Sequence, residues 1–239
     1  VSLYLSCRLK FFFRYVVGIQ KPKTPALHVG TTVHSVLKAW NKGRWRNQPL
    51  TLKLLYDLFV KAWADQKDEP VQWNGDEDAE KMTAWRLIET YIREMNPTAK
   101  PDAVEVAVEA DLHEHGLPKL IGILDLVQAG KVIDYKTSAQ TPNPEKVAHT
   151  NEVQTSIYSL LYRHNTGKKE TGIELHHLVK LKQPKLVVTS LPPMDEHKQS
   201  RLFTLMGSYA EGLDRRDFVP SPGMQCSFCE FFDACRAWH

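Results

Sequence analysis

The placement of four cysteines constrains the topology of this chain more than any other feature. Cys7 stands near one end of the 239-residue sequence, and Cys226, Cys229 and Cys235 crowd the other. If the four thiols meet, the two ends must be brought together. Four thiolates suit either tetrahedral zinc or an iron–sulfur cluster, and the spacing alone does not separate the two. From ligand chemistry alone zinc is favoured, because structural zinc sites are common. A disulfide framework is the poorer reading, since such frameworks serve small secreted domains and this chain is neither small nor visibly secreted. A reduced, intracellular and cytoplasmic setting fits better.

The length suits one large domain or two small ones. Hydrophobic residues make up 42% and charged residues 25%, the balance of a globular chain with a real core. A net charge of +3 allows a nucleic-acid partner without demanding one, because binding needs a local basic track. No apolar run approaches the ~20 residues that span a bilayer. The most apolar stretch, Leu9 to Val17, is broken by Lys10 and Arg14 and predicts a buried amphipathic helix, not a signal or membrane segment. No phosphate-binding Gly-Lys-Ser or Gly-Lys-Thr loop is present, so no ATP motor is visible.

Lys21-Pro22-Lys23-Thr24-Pro25 reads as a loop. A helix then begins near Gly30-Thr31-Thr32, with Val33, Leu37 and Trp40 at helical spacing. Leu52, Leu55, Tyr56, Phe59 and Trp63 form a second stripe. Met82, Trp85, Ile92 and Met95 form a third, opened by Asp76-Glu77-Asp78 and closed by Pro97. The texture changes at Val104, where Val104, Val106 and Val108 alternate with Glu105, Ala107 and Glu109 as in a half-buried strand. Further strands are expected over 120–127, 132–136, 173–180 and 186–191, with helices over 151–162 and 195–213.

Within this sheet lie Gly122-Ile123-Leu124-Asp125 and Ile133-Asp134-Tyr135-Lys136-Thr137. Asp134 and Lys136 are two apart, so on a strand both point the same way. Asp125 lies one hairpin away, close enough to share that face. An isolated Asp-x-Lys is usually a solvated cross-strand pair, but the neighbours Ile121, Ile123, Leu126, Val132 and Ile133 point to a largely buried hairpin. Two carboxylates and an ammonium are costly to bury unpaired. A divalent cation resolves that cost, because carboxylates are hard oxygen ligands for Mg²⁺ or Mn²⁺. Lys136 could then orient a water or neutralise developing phosphorane charge.

The pattern Gly122-x-x-Asp125, a short turn, then Asp134-Tyr135-Lys136-Thr137 resembles the catalytic core of RecB-like nucleases of the PD-(D/E)xK superfamily. That group includes nuclease domains of bacterial recombination helicase-nucleases, eukaryotic exonuclease V and type-four CRISPR-associated nucleases. Gly30-x-x-x-His34 is similar to the family's helical Gly-x-x-x-His, whose histidine is a metal ligand. Glu109 falls where the family often carries an acidic residue near the metal. Gln154 and Tyr158 resemble its Gln-x-x-x-Tyr motif, and at i, i+4 they share one helix face. Singly, each has a plainer reading as a core or solvated residue; their order along almost the whole chain carries the resemblance. The split cysteines resemble the iron–sulfur staple of a subset of the group, which carries a 4Fe–4S cluster. Phe218-Val219-Pro220-x-Pro222 leads into them as it does there. Arg8 follows Cys7 where the family commonly has Pro, which removes only a preset helix start.

The resemblance implies one α/β nuclease domain over 1–239, with a restriction-endonuclease-like mixed sheet flanked by helices. In it 1–100 is mainly helical, 104–191 is the catalytic sheet core, and 195–239 holds the last helix and the cysteines that join the two ends. It implies hydrolysis of DNA, single-stranded and from an end, in repair, recombination or CRISPR adaptation, with a helicase or larger nuclease complex as partner. Asp125, Asp134, Lys136 and Glu109 would be catalytic. His34, Asp125, Asp134 and the Tyr135 carbonyl would hold Mg²⁺ or Mn²⁺. Cys7, Cys226, Cys229 and Cys235 would hold the cluster, and Gln154 and Tyr158 would touch substrate. Arg44, Trp45 and Arg46 are candidates to extend the track by phosphate contact and stacking. The rival reading is a non-catalytic nucleic-acid-binding subunit with a structural iron–sulfur or zinc site.

Overall fold

The alternation of valine with glutamate and alanine becomes β1 (Ala103–Ala110) in the computed structural model, which describes residues 1–65 and 70–238. It is followed by β2 (Leu120–Gln128), β3 (Lys131–Ser138), β4 (Gly172–Val179) and β5 (Lys185–Leu191). The strands form one sheet in chain order. Only β3 and β4 run parallel, because the helices α6 (Pro144–Thr150) and α7 (Glu152–Thr166) carry the chain back between them. The fold is therefore α/β, a five-stranded mixed sheet flanked by helices.

Contacts divide the chain into two compact units, one of 22–110 and 120–195, the other of 1–21, 111–119 and 196–239. In the sheet unit, α3 (Pro25–Trp45), α4 (Leu52–Ala64) and α5 (Glu77–Glu94) cover one face. Val33, Leu37, Phe59, Leu87 and Tyr91 meet Val104, Leu126, Ile133, Tyr135 and Leu178 there. On the other face Tyr162 of α7 packs with Leu124, Val127, Val132 and Ile173. Close approach of α7 depends on Gly122, where a Cβ would stand 2.5 Å from Leu161 Cδ1. Asp76 caps α5 as its acidic start suggested, accepting from the Asp78 and Ala79 amides at 2.9 and 3.3 Å.

Three expectations change. α3 begins at Pro25 and not near Gly30, with the Thr24 hydroxyl accepting from the Leu27 amide. Met82 is exposed, and α5 buries Ala84, Leu87, Ile88 and Tyr91 instead. The amphipathic stretch at the start of the chain is α2 (Arg8–Phe11) continued by a π-helical turn over Phe12–Val16.

The second unit joins both ends of the chain through ordinary protein contacts. Tyr4 of α1 (Ser2–Ser6) donates to Asp217 O at 3.0 Å and packs on Tyr209 of α8 (Glu196–Asp214). Arg8 is ion-paired with Asp217, and the Leu9 amide donates to Val219 O at 3.1 Å. Lys10 and Arg14 both pair with Glu230, at 2.8 and 3.4 Å. Leu9 and Phe13 pack on Phe231, just before α9 (Phe232–Arg236). Among the described residues no helix is long and apolar enough to cross a membrane.

Candidate active site

The β2–β3 ladder ends at Leu126↔Ile133, so Asp125 and Asp134 are the first residues past its last rung, where the strands part. In β1 the flanking pairs are Val104↔Leu126 and Val106↔Leu124, which sets Glu105 across from Asp125. Here both strands change faces. Val104 and Leu126 belong to the core under α3–α5, whereas Val106 and Leu124 belong to the cluster under α7. In a regular strand residues two apart share a face. Glu105 breaks that rule by adopting φ +51°, a left-handed conformation uncommon for a non-glycine residue.

α3 supplies the next layer at one-turn intervals. His34 Nε2 lies 2.9 Å from the Tyr135 carbonyl oxygen, and its Nδ1 lies 3.4 Å from Asp125 Oδ2. A carbonyl can only accept, so Nε2 carries the proton. Four residues on, Lys38 Nζ is 3.0 Å from Glu105 Oε1. The Tyr135 amide donates to Asp125 Oδ2 at 3.2 Å. The backbone between Asp134 and Lys136 is thus held by Asp125 on one side and His34 on the other.

α7 supplies the opposite wall. Tyr158 OH donates to Asp134 Oδ1 at 2.9 Å and accepts from Gln154 Nε2 at 2.7 Å. Lys136 Nζ donates to Gln154 Oε1 at 2.8 Å and lies 2.9 Å from Asp134 Oδ2. Gln154 Nε2 also donates to Asp134 Oδ1 at 3.3 Å, so Asp134 and Gln154 each touch the other three members of the cluster, and Lys136 and Tyr158 each touch two. Asp134 is 3% exposed, and its Oδ2 has the lysine charge beside it but no directed hydrogen bond.

Burial pushes the Asp125 carboxyl up to about 6; His34 opposes that rise, while Asp134 and Glu105 add to it. Burial, and then the charge of Asp134, hold the Tyr158 hydroxyl far above the ordinary phenol range. Burial is the larger cause of both shifts, and the Asp134 carboxylate adds to each. The donors of the site are hard oxygens and an imidazole, the set that suits Mg²⁺ or Mn²⁺. Among the described residues no three His, Cys, Asp or Glu side chains already stand as a metal-holding group; Lys136 lies against Asp134, and His34 is turned onto the Tyr135 carbonyl.

A match to the model of the PD-(D/E)XK nuclease superfamily extends over residues 1–236. The chain belongs to that superfamily. Membership makes it a nuclease, a hydrolase of phosphodiester bonds with nucleic acid as its substrate class. Members of the superfamily generally use Mg²⁺ or Mn²⁺, in keeping with the donor set described above. No curated protein sequence matches the chain. Among solved structures it is similar to a protein of Eubacterium rectale described as a "putative exonuclease", with TM-score 0.62 and 15% identity over 98% of this chain and 81% of that one. At that identity the likeness shows the fold alone.

The structure gathers His34, Asp125, Asp134, Tyr135, Lys136, Gln154 and Tyr158 into one site. It sets Glu109 apart: that residue is exposed, pairs with Ile121 and lies four residues along β1 from the carboxylate facing Asp125. The residue that alternation could not single out is Glu105. Counting from the turn would have found it, since Glu105 and Asp125 each lie ten residues from His115. Arg44 leaves the proposed substrate track as well. It is 8% exposed, stacks on Trp40, and donates to the carbonyls of Asn96, Pro97 and Ala99, so it braces the segment that leads from α5 to β1.

In the second unit Cys7, Cys226, Cys229 and Cys235 line one cavity of about 50 Å³ together with Leu9, Phe13 and Phe231. All four are free thiols. The Gly223 amide donates to Cys226 Sγ at 3.4 Å. Burial, followed by the three neighbouring sulfurs, pushes the Cys235 thiol up.

Proposed function

We propose that the chain is a RecB-like, metal-dependent deoxyribonuclease acting on single-stranded DNA from an end. The observation that carries the reading is Asp134, a buried carboxylate beside Lys136 whose neighbouring peptide is tied to Asp125 and His34. Asp125, Asp134 and the Tyr135 carbonyl would hold Mg²⁺ or Mn²⁺, with His34 beside them. The bound ion would polarise the scissile phosphate and lower the pKa of a water. Lys136 would orient that water, and the Gln154 amide and Tyr158 hydroxyl would position the strand. Glu105 replaces Glu109 as the third acidic residue of the set.

The four thiols line one apolar cavity without already standing as a metal-holding group, and such a lining suits a cofactor that needs soft ligands and exclusion of water. Cys7, Cys226, Cys229 and Cys235 would hold a 4Fe–4S cluster, and the chain would act inside the cell in repair, recombination or CRISPR adaptation, alongside a helicase or larger nuclease complex. Incubating anaerobically purified protein with end-labelled linear and circular single-stranded DNA, with Mg²⁺ or Mn²⁺, tests the substrate assignment. Shortening of linear strands with circles left intact is expected; cleavage of circles at the same rate would replace it with an endonuclease.

A further inference from the structure

Tyr135 is bound to the candidate site by its backbone and to the protein interior by its side chain. Its amide reaches Asp125 and its carbonyl reaches His34. Its ring points through the other face of β3 into the core beneath α3 and α5. There Asn41 Nδ2 donates to the Tyr135 hydroxyl at 2.8 Å. The Tyr135 ring meets that of Tyr91 edge-on at 5.4 Å between centroids, which brings the two hydroxyls next to each other. Tyr91 OH lies 3.1 Å from His176 Nδ1, and His176 Nε2 lies 3.0 Å from Glu174 Oε2. Lys131 closes the chain on Glu174 at 2.6 Å.

Donor and acceptor roles fix the direction of this chain. The Glu174 carboxylate can only accept, so Nε2 of His176 carries a proton and Nδ1 is free to accept from Tyr91. Tyr91 then has its oxygen free for Tyr135, whose own oxygen takes the Asn41 amide. Every bond points the same way, toward the carboxylate, and such aligned bonds strengthen one another in a dry interior. Asn41 and His176 are both 0% exposed, so no water can replace a missing partner.

A one-residue slip of β3 would invert Asp134 and Lys136, and only one setting of the strand lets Tyr135 complete the chain. Building on the metal-site reading above, we propose that Tyr135 is a positioning residue. Its buried hydroxyl chain through Tyr91 and His176 aims the Tyr135 peptide, so affinity for the divalent cation is set partly by hydroxyls on the far face of the sheet.

Mn²⁺ binding followed by electron paramagnetic resonance, with no substrate present, tests this in wild type, Tyr135→Phe and Tyr91→Phe, with melting curves alongside. Phe59→Leu, a core change in α4 at a residue whose ring packs on Tyr56, Trp63 and Trp85, serves as the stability control. Tyr135→Phe should bind Mn²⁺ roughly 10-fold more weakly, the usual scale for groups that orient metal ligands. Tyr91→Phe should show a smaller loss in the same direction, and Phe59→Leu should lower the melting temperature with unchanged affinity. If Tyr135→Phe fails to fold, Tyr91→Phe still decides the matter. Hydroxyl-less variants that melt lower yet bind Mn²⁺ as wild type does would make the chain purely structural and overturn the inference. A wild type with no Mn²⁺ site sensitive to Asp134→Asn would instead remove the metal-site reading, and the inference with it.

Discussion

Glu105 faces Asp125 across the β1–β2 ladder at the position where both strands turn from one layer of the core to the other. The left-handed backbone at Glu105 costs on the order of 1 kcal/mol or more. The return is a third carboxylate beside Asp125, held by Lys38. Glu105→Gln should therefore reduce turnover by about 10-fold or more, and Glu109→Gln should leave it within a factor of two. Steady-state rates on a single-stranded substrate separate them; equal rates for wild type and Glu105→Gln would return the role to Glu109.

Asp125 predicts a pH signature. Its folded-state pKa of about 6 lies above the ordinary carboxylate value of about 4, so the folded chain holds this proton more tightly than the unfolded one. Stability is then lost as pH rises from about 4 to about 6 and stays lower above that. Asp125→Asn, in EDTA, should gain on the order of 2 kcal/mol at pH 7.5, with the gain shrinking toward pH 4. Urea melts across this range check it, and a gain independent of pH would assign the stabilisation to something other than this proton. Mn²⁺ affinity should also weaken as the wild type is acidified below pH 6, because proton and metal compete for the same oxygens.

The legible part of this fold was the part written in period and caps. Alternation located β1, and Asp76-Glu77-Asp78 located the start of α5. What escaped were helix starts carrying proline. Thr24-Pro25 opens α3 and Asn143-Pro144 opens α6, but proline marks a loop as readily as a first helical turn. The site was legible where residues two or four apart share a face, as in Asp134 with Lys136 and Gln154 with Tyr158. It was illegible where long-range register decides, as with Glu105, and where a basic residue caps carbonyls from inside, as Arg44 does. The buried chain behind Tyr135 joins four elements, α3, α5, β3 and β4, and leaves no local pattern.

Tyr158→Phe keeps the ring and removes the hydroxyl that bridges Asp134 and Gln154. Turnover should fall by more than 10-fold. Loss of a hydrogen bond to a charged group costs about 1.5–3 kcal/mol, so the melting temperature should drop by about 3–12 °C while the chain stays folded. Comparison of kcat with KM against melting curves checks this; unchanged turnover would leave Tyr158 a core residue.

The cysteine cavity joins position 7 to positions beyond 225. A crosslink over so long a loop restricts the unfolded chain by roughly 4–5 kcal/mol in the chain-entropy estimate borrowed from disulfides. Cys7→Ala and Cys235→Ala should each bleach a brown, anaerobically purified protein and lower its melting temperature. The Arg8–Asp217 and Lys10–Glu230 pairs should still hold the ends partly together. Iron and acid-labile sulfide per chain give the answer directly. Stoichiometric zinc without sulfide would replace the cluster with a structural zinc site and leave the nuclease reading intact.

The most direct measurement is cleavage of end-labelled single-stranded DNA by wild type and Asp134→Asn, purified anaerobically in parallel, with Mg²⁺, Mn²⁺ or EDTA. The wild type should cut with either ion and stop in EDTA. Asp134→Asn should be at least about 100-fold slower while binding DNA with affinity near that of the wild type, since phosphate contacts elsewhere supply most of the affinity. Asp134→Asn protein that cuts at the wild-type rate, or wild type that cuts equally well in EDTA, would contradict the assignment of the chemistry to this site.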